Sequence, residues 1–381
     1  MKRVSRYLWI ICFLAALFAL AGTLKASLPQ IATGTWTSWT TLSQARANAS
    51  SVLLPDGRIL IEGGDSGGGP LQSAEIFATD GTVSSATSMN VARSHHFAVA
   101  LSDGRVLVGG GITSGGGTTN SAEIYDPAAD SWASVPAMIT ARANATAVLL
   151  QDGRVFIAGG DNAGATDNTI EIYDPTTGNF SFAGQLSSPR TMHAMAVLHD
   201  GRVLIVGGSD GNNPLASSDI FDPASGIISA GPALATARYG QSATTLLDGR
   251  IAIIGGTDGT NDFSSAEVFD PANAAFTNAG AVLATARRGH QAFLLPNNNS
   301  VLIVGGTSGG AAVGASELFV PQISPSGVWS SSISATGSNV TPRSRSPSRT
   351  AFCSPRAVSG ISDSPVCCPV SDHAVSPCRA R

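Results

Sequence analysis

One phrase recurs along the 381-residue chain: Asp-Gly-Arg, a short apolar run, then a pair of glycines. It reads PDGRILIEGG from Pro55, SDGRVLVGGG from Ser102, QDGRVFIAGG from Gln151, HDGRVLIVGG from His199 and LDGRIAIIGG from Leu247. A sixth copy, NNSVLIVGG from Asn298, lacks the Asp-Gly-Arg. Upstream of each copy stands an arginine (Arg46, Arg93, Arg142, Arg190, Arg238, Arg287), and downstream an acid (Glu75, Glu123, Glu171, Asp219, Glu267, Glu317). A period of about 48 residues, held six times, makes each repeat one structural unit that must bury its apolar faces against its neighbours.

Within a unit the pattern predicts four strands. TAVLL before Gln151 is an apolar run suited to a strand covered on both faces, and Asp-Gly supplies the positive φ angles of a tight hairpin. RVFIAGG is the second strand, ended by glycines that permit close backbone approach. IEIYDP is the third, stopped at Pro175, which has no amide hydrogen to donate, and NFSFAG is the fourth, with Phe180 where another unit has Trp132. Six four-stranded units with no intervening helix bury both faces of every sheet when arranged radially, as a β-propeller.

The ordered set resembles the kelch repeat over about residues 36 to 330: paired glycines after the second strand, an acid before an aromatic and Asp-Pro in the third, Trp or a substitute in the fourth. The resemblance implies an all-β kelch-type β-propeller with six recognisable four-stranded blades. Fourth-strand segments occur both before Arg46, at Trp36, and after Glu317, at Trp329, which makes one more than six blades need. The Trp36 strand is expected either to close on blade six, completing a six-blade ring, or to stand beside a gap left by a truncated seven-blade parent whose missing strands start near Thr341-Pro342-Arg343.

The ends differ from the body. Residues 1–26 place Lys2, Arg3 and Arg6 before an apolar run from Tyr7 to Ala21, the order of a signal peptide. This predicts a secreted, periplasmic or cell-surface protein with no stable membrane span after cleavage. The propeller is assigned to residues 27–340. Residues 341–381 hold four of the five cysteines and six arginines but no glycine pair, and read as a disordered Ser/Pro/Arg/Cys tail of the kind an out-of-frame gene segment gives.

Charge narrows the function. Residues 27–340 contain no lysine and 12 arginines against 24 acids, a formal balance of −12 that argues against a nucleic-acid partner. Arg46, Arg93, Arg142, Arg190, Arg238 and Arg287 lie 29 or 30 residues before Glu75, Glu123, Glu171, Asp219, Glu267 and Glu317, a spacing that predicts one structural ion pair per repeat, within a blade or between adjacent blades. A ligand has no six-fold symmetry, so its site is sought where the repeat breaks its own rule. The breaks on the face of the arginine turns are His95, His96, His193, Tyr239, Gln241, Arg288, His290 and, in a following loop, Phe263. Alternate-blade His96, His193 and His290 raise a metal site as an alternative to simple packing, and the Asp/Asn-rich loops raise calcium as an alternative to turn chemistry; neither assembles a ligand pattern, and no metal or cofactor is expected.

Kelch propellers include copper radical oxidases resembling galactose oxidase, whose site needs a tyrosine crosslinked to cysteine. The body has no cysteine and only Tyr125, Tyr173 and Tyr239, so that activity is not expected. No catalytic pair stands out. The reading is a secreted binding module presenting a loop face to a protein or glycan ligand; the alternatives are a propeller enzyme such as a sugar-acid epimerase, and a structural domain of a larger cell-surface protein.

Overall fold

The computed structural model describes residues 42–295, 299–321, 328–334 and 341–342. These form six antiparallel four-stranded blades, and no helix occurs among them. In the third blade the strands run outward from the axis as Thr146–Leu149, Val155–Ala158, Thr169–Asp174 and Asn179–Gln185. The register pairs Thr146 with Ala158, Val155 with Tyr173, and Tyr173 with Phe180. The third strand ends at Asp174, directly before Pro175. The innermost strands of the other blades are Ala47–Leu53, Phe97–Ala100, Ala194–Val197, Ser242–Thr245 and Gln291–Leu295. The predicted Trp36 strand, the signal segment and residues 343–381 lie outside the described residues; Thr341–Pro342, at the head of the expected tail, pair in parallel with Ala47 and Ala49.

Five apolar clusters hold the blades face to face, one each between blades one and two, two and three, three and four, four and five, and five and six. Between blades three and four, Phe156 and Ile172 pack on Val203, Ile205 and Phe221, with the rings of Phe156 and Phe221 4.5 Å apart. Each such side chain, fully buried, contributes about 1.5–3 kcal/mol. Toward the rim, Trp132, Phe180 and Phe276 lie against Tyr125, Tyr173 and Phe269 at 4.9, 4.8 and 5.2 Å, which accounts for the recurring aromatic in the fourth strand.

The Asp-Gly-Arg turn differs from the expected two-residue hairpin, because only its glycine has positive φ. In the first blade Gly57 N–H donates to Leu54 C=O (3.0 Å) and Leu54 N–H to Arg58 C=O (2.8 Å), a wider turn with one left-handed residue. Asp56 closes the turn by accepting from the Arg58 amide at 3.0 Å and from its guanidinium at 2.7 Å. In the copy that has lost the phrase, Asn299 takes the left-handed position at φ 58°, a conformation asparagine tolerates.

The glycine pair fastens neighbouring blades. A Cβ on Gly159 would collide with the Arg190 carbonyl oxygen of the next blade, and the Gly160 N–H donates to that same oxygen at 2.9 Å. Both glycines have positive φ, so contact and backbone shape together exclude any side chain.

Candidate functional site

Each repeat arginine is a buried hub on the face that carries the loops after the glycine pairs. The Arg142 guanidinium, with no exposed surface, donates to Gly159 C=O (2.8 Å), Thr169 C=O (3.2 Å), Thr169 Oγ1 (2.9 Å) and Glu171 Oε1 (2.7 Å). Glu171 also accepts from the Ile139 and Thr140 amides, so one carboxylate fixes both the arginine and the turn entering the blade. The same pairing joins Arg46 to Glu75 (2.6 Å), Arg93 to Glu123 (2.8 Å), Arg190 to Asp219 (3.1 Å), Arg238 to Glu267 (3.1 Å) and Arg287 to Glu317 (2.7 Å). Asp219, one methylene shorter, reaches only the Ser187 amide, at 3.3 Å, and leaves its Oδ1 without a hydrogen bond. Burial pulls Arg93, Arg190, Arg238 and Arg287 below the usual guanidinium range, opposed by their carboxylates.

Two residues beyond each hub the chain turns left-handed: Asn48, His95, Asn144 and Met192 at φ 52–57°, Gly240 and Gly289 at 67° and 63°. Successive N–H groups donate to the carbonyl of the preceding blade, His95 to Asn48 (3.0 Å), Asn144 to His95 (2.9 Å), Met192 to Asn144 (3.4 Å), Gly240 to Met192 (2.9 Å) and Gly289 to Gly240 (2.8 Å). This backbone collar around the axis was not anticipated; its only trace in the sequence is the Asn, His and Gly content of that position. A left-handed methionine is the costly member, held there by the collar.

Inside the collar lies a cavity of about 60 Å³ whose wall includes His95, Asn144, Met192, Gln241, His290 and Gln291. Its lining mixes hydrogen-bonding side chains with apolar Phe97, Ala145, Ala147 and Met192, and contains no carboxylate, guanidinium or ammonium group. Asn144 Nδ2 donates to Asp161 Oδ2 at 2.8 Å, which also accepts from Thr191 Oγ1 at 2.9 Å, orienting the amide from behind.

Of the eight residues expected on the ligand face, four turn inward. His96, His193, Gln241 and His290 are buried because their side chains reach back into the preceding blade over Gly63, Gly159, Gly207 and Gly255, where only a glycine leaves room. Gln241 Nε2 donates to Val206 C=O at 2.8 Å, and His290 Nε2 lies 2.9 Å from Ser242 Oγ. The other four stay half-buried on the loop face. His95 has Nδ1 3.3 Å from Ser94 Oγ, and the Arg238 guanidinium sits 5.2 Å over the Phe263 ring. Arg288 pairs with Asp262 at 3.0 Å, whose second oxygen accepts from Gly309 N–H at 2.7 Å, tying the loops of blades five and six. Tyr239 bridges to Thr257 beside Gly259. Among the described residues no three His, Cys, Asp or Glu side chains group as metal ligands.

One buried charge-bearing residue escaped the sequence reading. Glu62 stands directly before the glycine pair, where the other blades have Gly109, Ala158, Val206, Ile254 and Val304. Its carboxyl is wholly buried, makes no hydrogen bond, and has Oε1 3.8 Å from His96 Nε2. Burial pushes Glu62 up to about 8, against the pull of Arg46, and burial, with the charges of Arg93 and His95, holds His96 well below the usual imidazole range. Both are therefore neutral in near-neutral solution, an acid and a base side by side behind the cavity wall. The signal for Glu62 was present, since it is the only ionisable residue at that position in six copies.

Residues 93–139 and 142–187 each match the model of the kelch motif, which places one match on blade two and one on blade three. The solved structure of YjhT is similar to this chain with a TM-score of 0.63 and 16% identity, covering 77% of this chain and 99% of that one. At that identity the likeness is one of fold. No curated protein sequence matches the chain.

Proposed function

The chain is a six-bladed kelch-type β-propeller, a fold that serves in general as an interaction module, and from that premise we propose that it is a secreted binding module whose loop face takes a protein or glycan ligand. The observation that carries the reading is the axial cavity: a small recess at the centre of the loop face that mixes apolar and hydrogen-bonding groups and holds no carboxylate, guanidinium or ammonium group, with Met192 beside His95 and Asn144. Such a lining suits a neutral hydroxylated group, as on a glycan, better than a charged one, because the repeat's cations are already consumed in buried ion pairs. Secretion rests on residues 1–26, which lie outside the described residues; among those described no helix is long and apolar enough to cross a membrane.

The test is a glycan and protein-fragment array probed with the mature protein, followed by His95→Asn, which keeps a residue tolerant of the left-handed turn while removing the imidazole. Binding of a neutral glycan, weakened at least ten-fold in the variant, is the expected result. No binding, or binding unaffected by His95→Asn and Tyr239→Ala alike, refutes the placement on this face.

A second reading, a sugar-acid epimerase, is favoured by one observation, the Glu62–His96 pair behind the cavity. It predicts turnover in a screen with sialic acids that is lost in Glu62→Gln, whereas the binding reading predicts none.

A further inference from the structure

At the collar, blades five and six depart from the other four in two linked ways. The residue after the hub arginine is small in blades one to four (Ala47, Ser94, Ala143, Thr191), and the next one, at the left-handed turn, carries a side chain (Asn48, His95, Asn144, Met192). Blades five and six reverse both choices: large Tyr239 and Arg288 precede bare Gly240 and Gly289. Backbone shape does not demand the glycines, because non-glycine residues hold the same turn at φ 52–57° in four blades, against 67° and 63° here. Nor does packing at Gly240: a Cβ there would make ordinary contacts, 3.4 Å from Arg288 Cβ and 3.6 Å from Gly289 N, whereas one at Gly159 would collide. What the exchange achieves is to remove bulk from the collar and place it one residue farther back.

Gly240 and Gly289 line the axial cavity together with His95, Asn144 and Met192. At the level of the collar its wall therefore carries side chains toward blades two, three and four, and only backbone toward blades five and six. The larger residues stand beside that gap. Both are half-buried on the loop face, whereas Ser94, Ala143 and Thr191 at the matching position are buried. The Tyr239 ring lies along the loop of blade five, since a Cβ on exposed Gly259 would stand 3.4 Å from its hydroxyl and 3.9 Å from the ring. The Arg288 side chain, 30% exposed, pairs at 3.0 Å with Asp262 of that same loop, so the cation is already balanced. The cavity alone, at about 60 Å³, is far below the roughly 300 Å³ at which pockets for whole small molecules begin. It admits one substituent of a sugar and leaves the rest of the molecule on the face.

We propose that the axial cavity continues into a groove over blades five and six, floored by Gly240 and Gly289 and flanked by Tyr239 and Arg288, which takes the second and further units of a neutral oligosaccharide. The inference rests on the reading of the loop face as a glycan-binding surface and adds the length and direction of the ligand. A hydroxylated substituent of the first sugar enters the cavity, and the chain leaves it where the collar has no side chains. Tyr239 offers a ring on which the apolar face of a sugar stacks, with a hydroxyl at its edge. The exposed part of the Arg288 guanidinium donates to sugar hydroxyl oxygens, while Asp262 cancels the charge that would otherwise select an anion. An acidic chain is further disfavoured by the balance of −12 over residues 27–340. A side chain at Gly240 like those of blades one to four would occupy the floor of the groove.

The experiment measures affinity of the mature protein for neutral homo-oligosaccharides of glucose, galactose, mannose and N-acetylglucosamine, each series graded from one to four units. In at least one series the two- or three-unit member is expected to bind about ten-fold more tightly than the single sugar. That gain should fall below about two-fold in Tyr239→Ala, which copies Ala47 and Ala143, and in Gly240→Asn, which copies Asn48 and Asn144 at a turn asparagine tolerates. Thermal midpoints show that the variants fold; if Gly240→Asn does not, Arg288→Ala takes its place. Single sugars bound as tightly as longer members, with binding weakened by His95→Asn, would overturn the groove and leave the axial reading standing. A gain with length that survives both variants would place the extension elsewhere and equally overturn it. No binding in any series would overturn the proposal together with the glycan reading beneath it.

Discussion

Two arginines of the third blade recur with equal regularity in sequence, yet they should differ several-fold in their effect on stability. Arg142 is fully buried and satisfies Gly159, Thr169 and Glu171, while Arg154 pairs with Asp152 at 2.6 Å in a turn where both side chains are 35–43% exposed. Arg142→Met keeps much of the apolar stem but strands a buried carboxylate and two carbonyls, a loss of about 3–5 kcal/mol for a broken buried pair. Arg154→Met removes a solvent-screened pair worth about 0.2–1 kcal/mol. Urea unfolding followed by far-ultraviolet circular dichroism measures both. The double variant Arg142→Met/Glu171→Leu should recover part of the loss, because the unpaired charge is gone, though the Ile139 and Thr140 amides then lack their acceptor. Equal, small losses for Arg142→Met and Arg154→Met would refute the hub argument, since the guanidinium would then have been dispensable.

Gly159→Ala should cost several kcal/mol, because its Cβ collides with the Arg190 carbonyl, whereas Gly164→Ala, at φ 85° with open space around it, should cost only about 1 kcal/mol of backbone strain; thermal midpoints separate them. Asp219→Glu should stabilise the fourth blade by about 1 kcal/mol by restoring the reach of the other five acids, and an unchanged or lowered unfolding midpoint would count against that account. Glu62, raised to about 8 by burial, keeps its proton in the fold while the unfolded chain ionises near 4.5, so its contribution is fully present below about 4.5 and is lost as pH rises through 8. Glu62→Gln should therefore gain on the natural protein by a few kcal/mol across that window, and a difference constant from pH 4.5 to 8 would show that the carboxyl is not buried.

Much of the fold was legible because its determinants are local and repeated. Asp56-Gly57-Arg58 encodes a turn within one hairpin, Pro175 a strand end, and Gly159-Gly160 a contact that tolerates no Cβ. The arginine–acid spacing was legible for the same reason: Arg142, at the head of the first strand, and Glu171, on the third strand of the same sheet, meet at an offset that topology fixes. What sequence could not give was direction about the axis. His96 and His95 are adjacent, yet the left-handed turn at His95 leaves that ring half-buried at the cavity and sends His96 backward between blades. A positive φ outside glycine carries almost no sequence signal, so the inward turn of His96 and His193, after left-handed His95 and Met192, had no warning in composition or period, whereas Gly240 and Gly289 mark the same turn before Gln241 and His290.

The same geometry explains where function can reside. Repetition consumes the strongest chemistry of each unit in holding the ring together, since every hub arginine, hub acid and paired glycine has its contacts within or between blades. Departures from the period are the positions free of that duty, and they gather at two places. One is the axial collar, where Met192 and Gln241 replace residues of other types and Glu62 introduces a carboxyl behind His96. The other is the junction of blades six and one, where Phe293 and Leu53 lack the cover their counterparts have. The two are coupled, because among the described residues the collar is a chain of backbone hydrogen bonds running from Gly289 to Asn48, the residues flanking that junction.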